Sequence, residues 1–582
     1  MWGYQPHFRI SVTNTAERLF AALDPDLKPR VFLVGFRTDD DSAFEPICLE
    51  PEEVEEVGYD VSYFAEVPKL AAEIEAEGRV EGRIYSHPVA QERHEAHRRA
   101  GSWAEATRRV LEREDATRGW RSFVGFPVKV DNFEVICVLQ LPRLVCDGYP
   151  QLVTKLVDDR INVHGSLLES VVDEFLRRCG EALRVPNPGA SLSVIDRSNE
   201  EMLRHAGRRF VSTIPAILGS YDLLEALYDA LSELAAVPYE GEANHGQMLL
   251  VRRDNRHVKA VVRLQQGISV MEARATRKLL EMSTSGNALL ADGAQAFGLG
   301  HLLPSYDPVA EDAFLVAFTG DATWQLSHAG TGLLRVRNGV PSLPAKPPSE
   351  ARLVDTLERV FGTGPGTNVA LLRDLVGAAS GQRHGTIVVV SDHAAEEATR
   401  LRAQATPIDP LPMSAELMRS VTAIDGAVLL DPGGTCHALG VILDGMASEE
   451  GAPGRGARYN SAVKYVGTVM RYFDHSCVAV VVSQDGPVNV IPELLPRISR
   501  AELQERIARF VALGQQAEVR RRDFNRLTRW LSEHRPYLSK TDAAQIEAAR
   551  AVIEPKLEKV NIWLSLPEFK GQDAVPDDLF TD

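Results

Sequence analysis

Apolar positions along this chain recur with two periods, and the period changes from segment to segment. Residues 30–36 (R-V-F-L-V-G-F), 122–130 and 134–141 are short apolar runs, which predicts strands, the last two joined as a hairpin through D-N-F. Residues 91–113 form a charged stretch that reads as a helix, and 153–183 again reads as helical. A second group of elements follows the turn-rich P-N-P-G-A-S at 186–191. There a helix is expected over 221–234, and strands at 247–251 and 257–264 are expected to pair around R-R-D-N-R. A helix capped by Ser269 is expected over 269–282, and strands at 313–319, 323–328 and 332–336.

The proline-rich P-S-L-P-A-K-P-P at 341–348 marks a further boundary. Beyond it strands and helices alternate: a strand at 385–391, a helix at 415–422 capped by Ser414, strands at 427–430 and 438–443, a helix at 461–473, and strands at 478–483 and 488–491. Such alternation packs most naturally as a mixed sheet covered by helices. Residues 501–513 and 543–564 read as helices of a charged tail. The expected architecture is therefore α/β and multidomain: an α/β domain over 1–190, a second over 200–345, a helix-flanked mixed sheet over 350–500, and a helical extension over 501–582. At 582 residues the chain is too long for a single hydrophobic core.

Composition narrows the functional classes. The apolar fraction of 44% suits a folded globular chain. The net charge of -17 disfavours non-specific attachment to nucleic acid or anionic lipid, but it allows a local basic pocket for a nucleotide. The six cysteines, Cys48, Cys137, Cys146, Cys179, Cys436 and Cys477, form no CxxC pair and fit buried thiols better than a zinc site or a disulfide framework. The N-terminal M-W-G-Y-Q-P-H-F-R does not read as a signal peptide, and no apolar run reaches the ~20 residues of a membrane span. A cytoplasmic protein is expected.

The segment with the most chemistry is I-D-G-A-V-L-L-D-P-G-G, beginning at Ile424, followed by G-R-G-A-R-Y-N-S-A-V-K-Y-V, beginning at Gly454. Asp425 sits at a helix-to-strand corner, and Gly426 removes a side chain there so that a ligand can approach the backbone. A carboxylate so placed can hold Mg²⁺ or Mn²⁺, or accept a proton from a ribose hydroxyl. Arg458 is expected just ahead of a helix, where its guanidinium and the free N–H groups of the first turn favour phosphate. Arg455 and Lys464 add positive charge nearby. Taken alone, a D-G turn and an arginine at a helix start are also common surface features.

The region from Thr386 to Pro492 resembles the nucleotide-binding domain of diadenylate cyclases, the DAC or DisA-N family. The resemblance rests on G-T-I-V-V-V, S-A-E-L-M-R-S-V, I-D-G-A-V-L-L-D, G-V-I-L-D-G, G-A-R-Y-N-S-A and V-V-V-S-Q-D-G in that order. It implies condensation of two ATP molecules into cyclic di-AMP, a second messenger of bacterial signalling. It also implies a divalent cation, Mg²⁺ or Mn²⁺, and two such domains face to face in a homo-oligomer. Carried over by position, Asp425 and Arg458 would be catalytic, and Asp425 and Asp485 would hold the metal. Gly426, Ala427, Ile442, Leu443, Gly456, Arg458, Tyr459, Asn460, Ser461 and Ser483 would line the nucleotide. The family's threonine, histidine and second arginine are replaced by Ala457, Tyr459 and Asn460, and a glutamate of its later S-E-E segment by Gln484. This variant resembles a subfamily whose cyclase-like domain follows a sensor called DACNV, here expected over 200–345. The alternative is a domain that binds a nucleotide or cyclic dinucleotide without turning it over.

Other constellations are read as structural. His94-Glu95-Ala96-His97 has the wrong spacing for HExxH, and G-T-G-P-G-T at 362–367 lacks the lysine of a P-loop. His437 and His475 could each ligate a metal but are expected to be satisfied structural histidines. Cys436 and Trp324 are expected in the core, and Arg520–Arg522 on a solvated helix face.

Overall fold

The computed structural model describes all residues except 40–44, 53–58, 78–87, 154–162, 192–193, 196–197, 221–223, 225, 239–244, 285, 321, 345–349, 381–384, 423, 447–456, 483–487, 518, 520, 558–567 and 582. It is a mixed α/β structure with several sheets and a helical C-terminal tail. The chain forms two compact units, Met1–Ala345 and Lys346–Asp582. Among the described residues no helix is long and apolar enough to cross a membrane.

The first unit contains two sheets. The smaller is antiparallel, ordered Ile47–Glu50, Arg30–Arg37, Phe133–Pro142, Trp120–Val124, with the short strand Val128–Val130 also on Phe133–Pro142. The larger has eight strands, from Val340–Ser342 at one edge to Val258–Ser269 at the other. Leu167–Leu183, Asn199–Leu218 and Leu227–Ala236 are helices of the same unit. One buried cluster runs from Phe8 through Phe175 and Phe210 to Trp324 and Leu343. The boundary expected near residue 190 therefore separates no cores: the helices on either side of it are packed together, because each presents an apolar stripe that neither sheet alone covers.

Two local expectations in this unit are corrected. His245–Val251 and Val258–Ser269 do not pair with each other. The first lies between Ala313–Gly320 and Ala288–Ala291, and the second pairs with Gln295–Leu302. Ser269 ends a strand instead of capping a helix: its hydroxyl accepts from the Met271 N–H at 3.3 Å, and the helix begins at Ala273.

The second unit is built on a six-stranded sheet ordered Thr406–Pro412, Thr435–Val441, Ala427–Leu430, Thr386–Ser391, Cys477–Val482, Val488–Ile491. Only Thr386–Ser391 and Ala427–Leu430 run parallel, with Ile387 opposite Ala427. Every residue of Thr386–Ser391, Ala427–Leu430 and Cys477–Val482 is buried, because both faces of the sheet are covered. Side chains alternate across it. Val389, Leu429 and Val481 pack on one face with Tyr465 and Val466 of the helix Ala457–Tyr472. Val388, Leu430 and Val480 pack on the other with Leu357, Leu372 and Met418. The helices Arg500–Gln515, Arg521–Glu533 and Lys540–Ile553 share a separate core around Phe510, Leu531 and Ile546.

Sequence periodicity misses the strand Thr406–Pro412. Its three prolines argue against a central strand, and it is in fact an edge, where a missing N–H faces no partner. Leu429 is nearly inaccessible in the central core. Leu429→Ala is expected to cost about 2–5 kcal/mol, read as a lowered melting temperature of the transition that includes this sheet.

Candidate functional site

The corner at Asp425 is set by a backbone contact that only glycine permits. Gly426 has φ +107°, and a Cβ there would lie 2.5 Å from the carbonyl carbon of Gly440. Gly440, at φ +59°, belongs to the strand Thr435–Val441. The two stretches of backbone thus touch where the strand Ala427–Leu430 begins. Asp425, one residue earlier, is left on the surface with its side chain 88% exposed.

Arg458 reaches the same point from the helix Ala457–Tyr472. Its Nη2 donates to Asp425 Oδ1 at 2.9 Å, and its side chain is 39% exposed. It lies inside the first turn, not ahead of the helix as expected. The burial pattern explains its placement. Tyr459, Ala462, Val463, Val466 and Val469 face the sheet at helical spacing, so Arg458 falls on the flank of that stripe. The hydrogen bond from Arg458, its positive charge and the Gly426 N–H hold the Asp425 carboxyl below its ordinary range.

The segment 442–446 follows the strand Thr435–Val441 and is fastened on two sides. Gly445 lies against the helix, where a Cβ would meet the Lys464 carbonyl carbon at 2.5 Å, and the Met446 N–H donates to Thr468 Oγ1 at 2.9 Å. On the other side Asp444 makes a two-pronged pair with Arg400, at 2.7 and 2.8 Å. Arg400 also grips Glu397, whose side chain is only 3% exposed and accepts a hydrogen bond from the Tyr465 hydroxyl at 2.7 Å. Just ahead of these anchors Ile442 stands 65% exposed and Leu443 is partly buried against the core.

The structure thus brings Asp425 and Arg458 together. Ala427 is fully buried and can offer a ligand only its backbone. Tyr459 faces inward, into the core, and its hydroxyl donates to Glu493 Oε1 at 3.3 Å. Asn460 and Ser461 are partly exposed on the same helix. Gly456, Ser483, Asp485, Arg455 and Gln484 lie outside the described residues. The sequence reading missed Glu493 and the Glu397–Arg400–Asp444–Tyr465 network; these residues are scattered over four elements, and no motif spacing links them.

Residues 1–211 match the family model described as "Probable sensor domain DACNG", and residues 225–330 match "Probable sensor domain DACNH". Both are families of N-terminal sensor domains associated with diadenylate cyclases. The first unit therefore carries sensor-domain sequence from its N-terminus onward. The expected sensor over 200–345 matches DACNH where DACNV was expected, and the unassigned 1–190 falls within the DACNG match. No curated protein matches the chain. Among solved structures the chain is similar to a double mutant of DacA from Staphylococcus aureus, at 21% identity over 21% of this chain and 80% of that one, with a TM-score of 0.18. It is also similar to a hypothetical membrane spanning protein from Bacillus cereus, at 20% identity, 23% of this chain and 63% of that one, with a TM-score of 0.19.

The other candidates resolve as structural or remain apart. His437 Nε2 is 3.0 Å from Asp431 Oδ2 across the tight turn that joins Ala427–Leu430 to Thr435–Val441. Burial pushes the Asp431 carboxyl up, but hydrogen bonds from His437 and the Thr435 N–H outweigh it and the net shift is downward. Trp324 is fully buried with its indole N–H on Ser232 Oγ at 3.1 Å, and Cys436 is buried. His97 is exposed on the long helix Pro88–Arg118, edge-on to Phe126. Arg520 and the side chains of Arg521 and Arg522 lie outside the described residues.

Two outcomes follow from this geometry. Gly426→Ala is expected to destabilise by about 2 kcal/mol or more, since it adds both backbone strain and a clash with Gly440, and thermal denaturation reads it directly. Asp425→Asn is expected to cost under ~1 kcal/mol at neutral pH, because the ion pair it removes is open to solvent. The folded pKa of Asp425 is depressed, so any stability from the pair is present above the ordinary carboxylate pKa of ~4 and lost as pH falls through the folded value. Melting curves of the variant and the parent chain should converge in that acid range.

Proposed function

We propose that the second unit is a diadenylate cyclase-like nucleotidyltransferase domain, coupled to the sensor regions of the first. Its substrate would be ATP and its product cyclic di-AMP or a related cyclic dinucleotide. The observation that carries this reading is the Asp425–Arg458 pair: a carboxylate and a guanidinium from separate elements, 2.9 Å apart, held at the solvent-exposed end of a rigid sheet. The DACNG and DACNH matches support it, because such sensors accompany diadenylate cyclases.

In this reading Arg458 and the N–H groups of the first turn of Ala457–Tyr472 bind the triphosphate. A phosphate arriving at Arg458 competes with Asp425 for the guanidinium and releases the carboxylate toward the ribose. Asp425 then orients the 3′-hydroxyl and helps accept its proton. The hydroxyl oxygen forms a bond to the α-phosphorus of a second ATP, and the bond to the β-phosphate oxygen breaks. Done twice, two ATP give one cyclic dinucleotide and two pyrophosphates. Ile442, exposed at the start of the fastened segment, gives the adenine an apolar surface. Asp425 offers an exposed carboxylate of the kind that holds Mg²⁺ or Mn²⁺ delivered with a nucleotide, and such an ion would neutralise the phosphates.

Each 3′-hydroxyl must reach the other nucleotide, so two copies of the domain would meet face to face. The exposure of Asp425 and Ile442 suits a surface covered in that assembly. Use of ATP as substrate would put the reaction in the cytoplasm.

A second reading is favoured by Tyr459. With Tyr459 turned into the core and Ala457 lacking a hydroxyl, Arg458 carries the phosphate contacts of this turn without the neighbours that the cyclase pattern supplies. Each lost charge-assisted contact costs ~1.5–3 kcal/mol, enough to leave a nucleotide receptor without turnover. The two readings separate when the purified full chain is incubated with ATP and Mg²⁺ or Mn²⁺ and its products are identified by mass spectrometry. A cyclic dinucleotide formed by the parent chain and lost in Asp425→Asn is the expected result. Nucleotide binding with no product would favour the receptor, and no nucleotide binding would overturn both.

A further inference from the structure

The end of the central strand opposite Asp425 carries a second constellation that the nucleotide reading does not use. In the antiparallel pair of Thr386–Ser391 with Cys477–Val482, Ser391 stands opposite Cys477. The Asp392 N–H extends the ladder to the Ser476 carbonyl at 3.3 Å. His393 and His475 follow, each two residues beyond the last paired positions. Their imidazole rings stack with centroids 3.7 Å apart and planes 6° from parallel. Glu396, three residues after His393 on the helix Ala394–Arg400, points into the same place. A ring nitrogen of each histidine and a carboxylate oxygen of Glu396 all lie within 4.8 Å of one another.

Three further facts point to a ligand. His475 Nδ1 is buried with no hydrogen-bond partner, which is costly for a polar nitrogen, so the expected satisfied histidine is not what the structure contains. His393 Nδ1 lies 2.8 Å from Asp392 Oδ1, which fixes the ring and leaves its other nitrogen for a metal, as carboxylates do behind histidine ligands. Each histidine lies two residues beyond a buried central strand, His393 after Ser391 and His475 before Cys477, so the paired strands fix the points from which both side chains start.

We propose that His393, Glu396 and His475 form a binding site for a divalent transition metal of the zinc class. Two imidazoles and a carboxylate with a fourth position open is a ligand set such ions take, whereas Mg²⁺ prefers oxygen alone. Bonds of ~2.0–2.1 Å in a tetrahedron put the ligand atoms ~3.3 Å apart, so binding requires the stacked rings to turn until a nitrogen of each converges on the ion. The site is independent of the nucleotide reading and lies beyond the far end of a strand that rises ~3.3 Å per residue. It also has a mechanical consequence. The helix that supplies Glu396 supplies Glu397 and Arg400, and Arg400 holds Asp444 of the 442–446 segment. Metal binding would stiffen that helix and, through one ion pair, the segment that carries Ile442.

Cobalt is the probe, because its visible absorption reports nitrogen and oxygen ligation directly. Untagged full chain titrated with Co²⁺ is expected to saturate at one equivalent, with Zn²⁺ displacing it. His393→Ala and Glu396→Gln, both at the surface and compatible with folding, are expected to weaken binding at least about tenfold. Asp425→Asn should leave it unchanged. Absence of saturable Co²⁺ absorption, or equal affinity in His393→Ala and Glu396→Gln, would overturn the proposal.

Discussion

The second unit depends on a place where two backbones come closer than any side chain allows. Gly426 and Gly440, both at positive φ, let the start of Ala427–Leu430 press against Thr435–Val441. That contact turns Asp425 outward, while the buried stripe of Ala457–Tyr472 sets Arg458 on the flank nearest to it. Neither residue is held by its own packing. Both are exposed, and their separation is inherited from a sheet whose central strands are buried on both faces. A packed scaffold presenting solvent-open groups is a common arrangement for binding and chemistry.

The same economy governs the segment after the sheet. Arg400 joins Glu397, deep in the core, to Asp444 at the surface, and Tyr465 closes the network from the covering helix. The buried carboxylate is paired and hydrogen-bonded, as burial of charge demands. A single arginine thereby transmits the position of a short helix to the residues beside the candidate nucleotide surface.

Much of the fold was legible because burial leaves a simple imprint. The strands at 386, 427, 477 and 488 appear as apolar runs, and Ser414 marks its helix by accepting from the Leu417 N–H. Pairing was less legible. His245–Val251 and Val258–Ser269 are neighbours in sequence but not in the sheet, since Ala288–Ala291 and Gln295–Leu302 intervene between them. An edge strand containing three prolines has no apolar run to mark it. At the site, D-G-A and Arg458 were readable as a motif. The inward turn of Tyr459 was not, because it depends on the rotational phase of a helix whose start was placed four residues late. The pairing of His393 with His475 required the sheet register, which no local pattern encodes.

The central claim is that Arg458 and Asp425 mark a nucleotide site. Equilibrium binding of a non-hydrolysable ATP analogue to the full chain, in the presence of Mg²⁺, tests it without requiring turnover. The account predicts saturable binding that weakens roughly tenfold or more in Arg458→Ala, the loss expected for one charge-assisted phosphate contact. Binding that is absent in the parent chain, or unchanged by Arg458→Ala, would contradict it.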